Sequence, residues 1–327
     1  MKIFRSAAEV PAQSGLSGIA PGFGPSVVTI GNFDGVHSGH RQIMRRVATI
    51  ARERGLEATV LTFDPHPARV LAPERAPKLI MTVDQRIRAL DAEGIDAVLL
   101  LPFSLEFARL TPEEFARRIL AETLRARVVL VGEDFRFGYK QAGDIGTLRS
   151  LGEQLGFTVE PVSAINHRGA RISSSAIRKL VTEGAVTKAC RMLGAPFALE
   201  GTIVKGQGIG SKQTVPTLNL AAHNEVLPKT GVYVTRTRDL ASTRSWNSIT
   251  NIGYRPTFNG EGLTVETFLL SPFDGETPGE VEVQFLAFVR EERKFESAAA
   301  LREQIIRDAG FAARLHRRLE KLSLPVT

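Results

Sequence analysis

Val27-Val28-Thr29-Ile30-Gly31-Asn32-Phe33-Asp34-Gly35-Val36-His37-Ser38-Gly39-His40 is the stretch on which the reading of this chain turns. Val27 to Ile30 is a short, β-branched apolar run and predicts a buried strand. Glycines follow at once, as they do where backbone must approach a ligand closely. Beyond them Ile43, Val47 and Ile50 recur at helical spacing, so the stretch is a strand-to-helix junction. The N-terminus of that helix offers free N–H groups to an anion such as phosphate. His37 and His40 are three apart and share one side of the first turn. Two imidazoles beside amide donors suit the charge that develops when a nucleotide α-phosphate is attacked. The alternative is a Gly-rich turn carrying two incidental surface histidines. Zinc is disfavoured, since two histidines need a third ligand and no cysteine is near.

Working outward, strand and helix alternate as far as about residue 190. Ala58–Phe63, Ala97–Leu101 and Val128–Val131 read as strands, and Asp84–Glu93 and Pro112–Leu124 as helices. Such alternation predicts a parallel sheet with helices on its faces and ligands at the carboxyl ends of its strands. After Gly194-Ala195-Pro196 the texture changes. Leu199–Lys205, Gly231–Thr237, Leu263–Leu270 and Val281–Val289 are extended segments with no long helical pattern until Ala298. Strands without crossover helices predict an antiparallel barrel covered by one terminal helix. The expected architecture is therefore α/β over residues 25–193 followed by a β-barrel over 197–327. The boundary falls near Leu193 to Phe197, and residues 1–24 read as a flexible lead-in.

A chain of 327 residues is long enough for both domains. No stretch is long and apolar enough to span a membrane, and Met1-Lys2-Ile3-Phe4-Arg5 does not open a secretory signal. The single cysteine, Cys190, excludes an internal disulfide and fits a reducing cytoplasm. The formal charge of +7 suits nucleic acid, an anionic surface or small polyphosphates. Its basic residues are scattered, and the run His316-Arg317-Arg318 reads as a solvated helix face. Neither nucleic acid nor membrane is expected as a partner.

Three further segments carry chemistry. Asp64-Pro65-His66-Pro67 is a stiff turn after a strand, since proline fixes φ. In Val131-Gly132-Glu133-Asp134-Phe135-Arg136-Phe137-Gly138, the phenylalanines suit a flat ring and Asp134 a polar group. Ser173, Ser174 and Ser175 open a helix and offer hydroxyls, and Arg178 adds a planar fork suited to polyphosphate. Simple turn, core and capping roles are the competing readings. Taken in order, these segments and Gly31–His40 resemble the His-x-Gly-His nucleotidyltransferases, in the form found in bacterial bifunctional riboflavin kinase/FAD synthetases. The resemblance implies that Gly31, Asn32, Phe33, His37, Gly39, His40, Ser173, Ser174, Ser175 and Arg178 handle ATP. It also implies that FMN docks near Asp64, Pro65, His66 and Pro67, with Asp134 and Phe135.

In the second half, Gly206, Gly208 and Gly210 form a glycine loop able to close over phosphate. Thr217 and Asn219, two apart on an extended segment, face one way and offer hard oxygens for magnesium or phosphate. Glu266 lies inside the strand-like run Leu263–Leu269, opposite in facing to Val265 and Thr267. With Asn251-Ile252-Gly253-Tyr254-Arg255-Pro256-Thr257-Phe258 and Val289–Phe295, these motifs resemble the riboflavin kinase module of the same family. The resemblance implies Glu266 as the catalytic base, Thr217 and Asn219 as ligands of the Mg2+–nucleotide complex, and Arg290 on the flavin side. Val215, Leu218 and Phe268 depart from the family's usual residues, and the family's Leu-Tyr-Gly turn is missing from Phe273 to Gly279. The resulting expectation is a two-domain enzyme acting on riboflavin, FMN and ATP with Mg2+. The alternatives are an adenylyltransferase with a degenerate flavin-binding second domain, a non-catalytic flavin-binding regulator, and a nucleotidyltransferase acting on a lipid or sugar phosphate.

Overall fold

The computed structural model describes residues 1–7, 24–163, 166–167, 170–204, 217–257, 260–271 and 276–321. The chain divides into two compact units, Met1–Ser173 and Ser174–Thr327.

The first unit runs β1 (Lys2–Phe4), β2 (Ser26–Ile30), α1 (Ser38–Arg54), β3 (Glu57–Phe63), α2 (Pro67–Leu71), α3 (Val83–Asp91) and β4 (Ala97–Leu101). It continues through α4 (Pro112–Phe115), β5 (Ala126–Gly132), α5 (Ile145–Leu155), β6 (Thr158–Val162) and the small hairpin of β7 (Asn166–His167) and β8 (Ala170–Arg171). Beyond Phe115 the chain stays helical as a π-helix, Ala116–Thr123, closed by the bond from Leu124 N to Ile119 O. The six-stranded sheet has the order β1-β4-β3-β2-β5-β6, every pair parallel.

Parallel strands covered on both faces bury every side chain, and β2 and β4 do so completely. Alternate residues feed two cores. Val28, Leu99 and Val129 pack with Phe115 and Leu120, whereas Val27, Val98 and Val128 pack with Met44, Val47 and Leu90. From β2 the chain builds toward β4 on one side and toward β6 on the other. The order therefore reverses between β2 and β5, and the crevice at their carboxyl ends is where ligands of such sheets bind. Lys2–Phe4 corrects the expectation of a lead-in through residue 24. These three residues add a parallel edge strand beside β4, held by Lys2 N to Asp96 O and by an ion pair from Lys2 to Glu57. The rest of that expectation, residues 8–23, lies outside the described residues.

The second unit holds α6 (Ser174–Thr182), α7 (Val186–Leu193), β9 (Phe197–Val204), β10 (Thr217–Ala222), β11 (Gly231–Asp239), β12 (Ser245–Thr257), β13 (Gly260–Leu269), β14 (Glu280–Arg290) and α8 (Ala298–Lys321). Its strands close a barrel in the order β10-β13-β12-β11-β14-β9, all antiparallel. The compact units part earlier than the change of texture at Leu193 to Phe197, because α7 packs on the barrel. Val186, Ala189 and Leu193 are buried, Thr187 Oγ1 donates to Leu286 O (3.1 Å), and Cys190 Sγ donates to Phe285 O (3.3 Å).

The barrel's two faces differ in chemistry. On the outside, Ala312 of α8 packs on Val232, Val234 and Ile249. A barrel this narrow holds no helix, so the opposite face is the interior. There the hydroxyls of Thr237, Ser248, Thr235, Thr250 and Thr267 form one chain of hydrogen bonds of 2.8–2.9 Å. Each buried polar group in this chain is thereby satisfied. Among the described residues, no helix is long and apolar enough to cross a membrane.

Candidate active sites

In the first unit the site forms where β2, β3 and β5 end. His37 is the N-cap of α1, and its Nδ1 accepts a hydrogen bond from His40 N (3.3 Å). Because Nδ1 accepts, the ring proton sits on Nε2, an assignment that follows from the hydrogen-bond geometry. The two imidazoles stack at 3.6 Å between centroids with 16° between their planes. Burial pushes His37 down from 6.5 to about 4, and burial followed by the neighbouring His37 pulls His40 well below 6.5. Both rings are therefore neutral at pH 7, able to donate a hydrogen bond but carrying no fixed charge. His40 Nδ1 is buried and finds no partner among the described residues.

The loop that delivers these rings is bent hard. Phe33 and Val36 adopt φ of 48° and 35°, conformations rare for side chains of this size, and both are buried. The Phe33 ring meets His40 edge-on at 5.1 Å and lies over Gly31, where an added Cβ would come within 3.0 Å of it. Gly39 has a similar reason to lack a side chain, since a Cβ there would approach the His37 ring to 3.2 Å.

After β3, the Asp64–Pro65 peptide is cis, and His66 caps α2 with Nδ1 accepting from Ala68 N (3.1 Å). After β5, Phe135 is half-buried and stacks on Phe137 (5.6 Å, 14°), while Phe137 is itself part of the core. Phe137 thus backs Phe135 rather than facing a ligand. Asp134 is exposed and paired with Arg171 of β8 at 2.6 Å, a hydrogen bond that holds its carboxyl below the usual range. The two loops follow β3 and β5, the neighbours of β2 on either side in the sheet. The serine motif straddles the division of the chain: Ser173 ends the first unit and Ser174 opens α6 of the second. Within α6, Arg178 Nη1 donates to Ser175 Oγ at 3.4 Å.

In the second unit the site lies on strands. Asn219 stands directly opposite Glu266, and Glu266 directly opposite Asn251, across β10, β13 and β12. Val265, Thr267 and Leu269 point into the barrel, so this row lies on the outer face, the face that α8 covers further along. Thr217 shares the facing of Asn219 two residues away. Glu266 is only 6% exposed. Arg290, expected on the flavin side, is tied to α8. Its Nε and Nη2 donate to Asp308 Oδ2 at 3.0 and 2.8 Å, and its Nη1 donates to Glu291 O. Gln304 Nε2 in turn donates to the other oxygen of Asp308 (2.6 Å), and Gln304 Oε1 accepts from Arg293, whose guanidinium lies over Phe295. This tie between the end of β14 and α8 was not legible in the motifs. Gly206, Gly208 and Gly210 fall outside the described residues.

The model of the FAD synthetase family matches residues 22–176 and that of riboflavin kinase residues 193–316. The "Bifunctional riboflavin kinase/FMN adenylyltransferase" of Pseudomonas fluorescens is 36% identical, over 92% of this chain and 96% of its own length. Its namesake in Escherichia coli (strain K12) is 34% identical, over 86% and 90%.

The chain belongs to the bifunctional riboflavin kinase/FMN adenylyltransferase family.

It phosphorylates riboflavin to FMN and adenylylates FMN to FAD, using ATP in both steps. A crystal structure named a macrolide-efflux protein, from Streptococcus pneumoniae, superposes on this family member with a TM-score of 0.82. It is 27% identical, and the match covers 95% of this chain and 98% of that one.

Proposed function

We propose that the two activities are divided between the units, with adenylylation at the crevice of the first and phosphorylation on the outer barrel wall of the second. For the kinase, register carries the reading: a buried carboxylate, Glu266, is paired across neighbouring strands with Asn219 and shares its face with Thr217. In this reading Glu266 accepts the proton of the ribityl hydroxyl as that oxygen attacks the γ-phosphorus of ATP. Thr217 and Asn219 orient the nucleotide. Their hydroxyl and amide oxygens, beside a carboxylate, are a donor set that suits Mg2+. When bound, that ion supplies charge neutralisation along the phosphates.

For the transferase, the neutral His37–His40 stack at the N-terminus of α1 carries the reading. An oxygen of the FMN phosphate attacks the α-phosphorus of ATP, and pyrophosphate leaves. No covalent enzyme intermediate is needed, so these groups act by position and by donating to the developing charge. Asp64, Pro65, His66 and Pro67 form the flavin turn, with Phe135 as a partly exposed ring nearby. We also place these reactions in the cytoplasm, where ATP is supplied.

Incubation of the purified chain with riboflavin, ATP and Mg2+, with flavins separated by chromatography, tests the division. His37→Ala should stop the sequence at FMN, and Glu266→Gln should leave riboflavin untouched while supplied FMN still becomes FAD. Loss of the same activity in both variants would overturn it.

A further inference from the structure

We infer that Arg86 is a positioning residue that ties the nucleotide loop to the flavin turn of the first unit, so that adenylylation depends on a guanidinium buried behind both. The inference rests on the site assignment above.

Arg86 sits in the first turn of α3 and is 4% exposed. Its Nη1 donates to Asn32 O at 2.9 Å and its Nη2 to Phe63 O at 3.2 Å. Asn32 belongs to the loop that leads to His37. Phe63 is the last residue of β3, immediately before Asp64. One planar fork thus bridges the carboxyl ends of two adjacent strands, as its fixed geometry allows and an ammonium does not. Burial lowers the affinity of this guanidinium for its proton, and the charges of Asp64 and Asp34 act the other way.

A second tie runs in the reverse direction. The Asp34 carboxylate accepts from Ile80 N (2.9 and 3.1 Å) and Met81 N (3.2 Å), in the segment that enters Thr82, the N-cap of α3. Thr62 Oγ1 adds a third contact to Asn32 O at 3.3 Å. Phe33 lies between the two anchored residues, Asn32 and Asp34. Its strained φ is held from both sides, and its ring is the edge that meets His40. The path from Arg86 to the stacked imidazoles therefore consists of bonded or touching groups throughout. A guanidinium serving only the core would have no need to span the two turns that the reaction uses.

The test uses the full chain and measures kcat and KM for ATP and FMN in adenylylation, with riboflavin phosphorylation as an internal control. Arg86→Met should lose at least tenfold in adenylylation kcat while phosphorylation is unchanged. Arg86→Lys, which keeps the charge but reaches one carbonyl, should recover part of the loss. Millimolar guanidinium should raise the rate of Arg86→Ala. Wild-type kcat and KM in Arg86→Met would overturn the inference. So would a loss that disappears when the rate is divided by the folded fraction from circular dichroism, or no gain from either lysine or guanidinium. His37→Ala assayed alongside separates the two levels. If it adenylylates normally, the site assignment fails; if it is inactive while Arg86→Met is normal, only the role of Arg86 falls.

Discussion

The site proposed for the first unit lies where strands end, and the one proposed for the second lies where strands face one another. At strand ends the backbone is free to bend, and the bends around Phe33 and Val36 must be held by buried ties such as Arg86 and Asp34. On the barrel wall no bend is needed, because pairing alone fixes Asn219, Glu266 and Asn251 in one row. A loop site is thus vulnerable through the groups that brace it, and a register site through the strands themselves.

The comparison breaks most sharply at Glu266. Glu266→Gln keeps the size but removes the base, so riboflavin phosphorylation should fall on the order of a hundred- to ten-thousandfold. Adenylylation of supplied FMN should stay near wild type. Normal phosphorylation in this variant would remove Glu266 from the mechanism, and a joint fall would couple the two sites. His37→Ala comes next. Loss of one preorganised donor costs roughly a hundredfold, seen in FAD formation but not in FMN formation; unchanged FAD synthesis would sink the loop site.

Two stability measurements sharpen the contrast. A fragment starting at Ser174 should fold and phosphorylate riboflavin. One starting at Phe197 lacks the buried Val186, Ala189 and Leu193 of α7 and should be less stable by on the order of 3 kcal/mol. Equal urea midpoints for the two fragments would argue that α7 adds nothing to the barrel. The smallest effect is expected from acid. Above pH 6.5 His37 is neutral whether folded or unfolded; between 6.5 and about 4 the unfolded chain binds a proton that the folded chain refuses. Stability is therefore full above 6.5 and falls as pH drops toward 4. His40 shifts in the same direction, while His316 is the barrel's counterpart, lowered by burial. Trp246, the single tryptophan, reports on the barrel alone. Between pH 7.5 and 5 the melting temperature from circular dichroism should fall by more than that from Trp246 fluorescence. Equal shifts would mean that the histidine stack carries no special acid sensitivity.

How much of this was readable in the sequence follows the same division. Gly31–His40 is contiguous, so its loop, its helix and the pairing of its histidines could be read in one piece. Glu266 and Asn219 could be assigned a face by alternation, but not to one row, because register depends on strands far apart in the chain. β12 carries Asn251 yet was not read as a strand, since its run Ser245–Thr257 is polar, with hydroxyls that only the barrel interior explains. Arg86 and Asp308 left no signal, for a charged residue on an amphipathic helix ordinarily faces water. Arg290 was assigned by likeness, and its bonds to Asp308 and Glu291 emerge only when α8 is in place.

The three residues of β1 have a consequence beyond completing a sheet. Without them β4 would be the margin of the first unit, and β4 reads Ala97-Val98-Leu99-Leu100-Leu101, apolar throughout. An unpaired row of amides on such a strand is a template for another chain. Lys2–Phe4 cap it with a strand of only three residues, anchored by Lys2 to Glu57. Removing Lys2–Phe4 should therefore open that edge, with self-association, followed by light scattering over time, rising above that of the untrimmed chain.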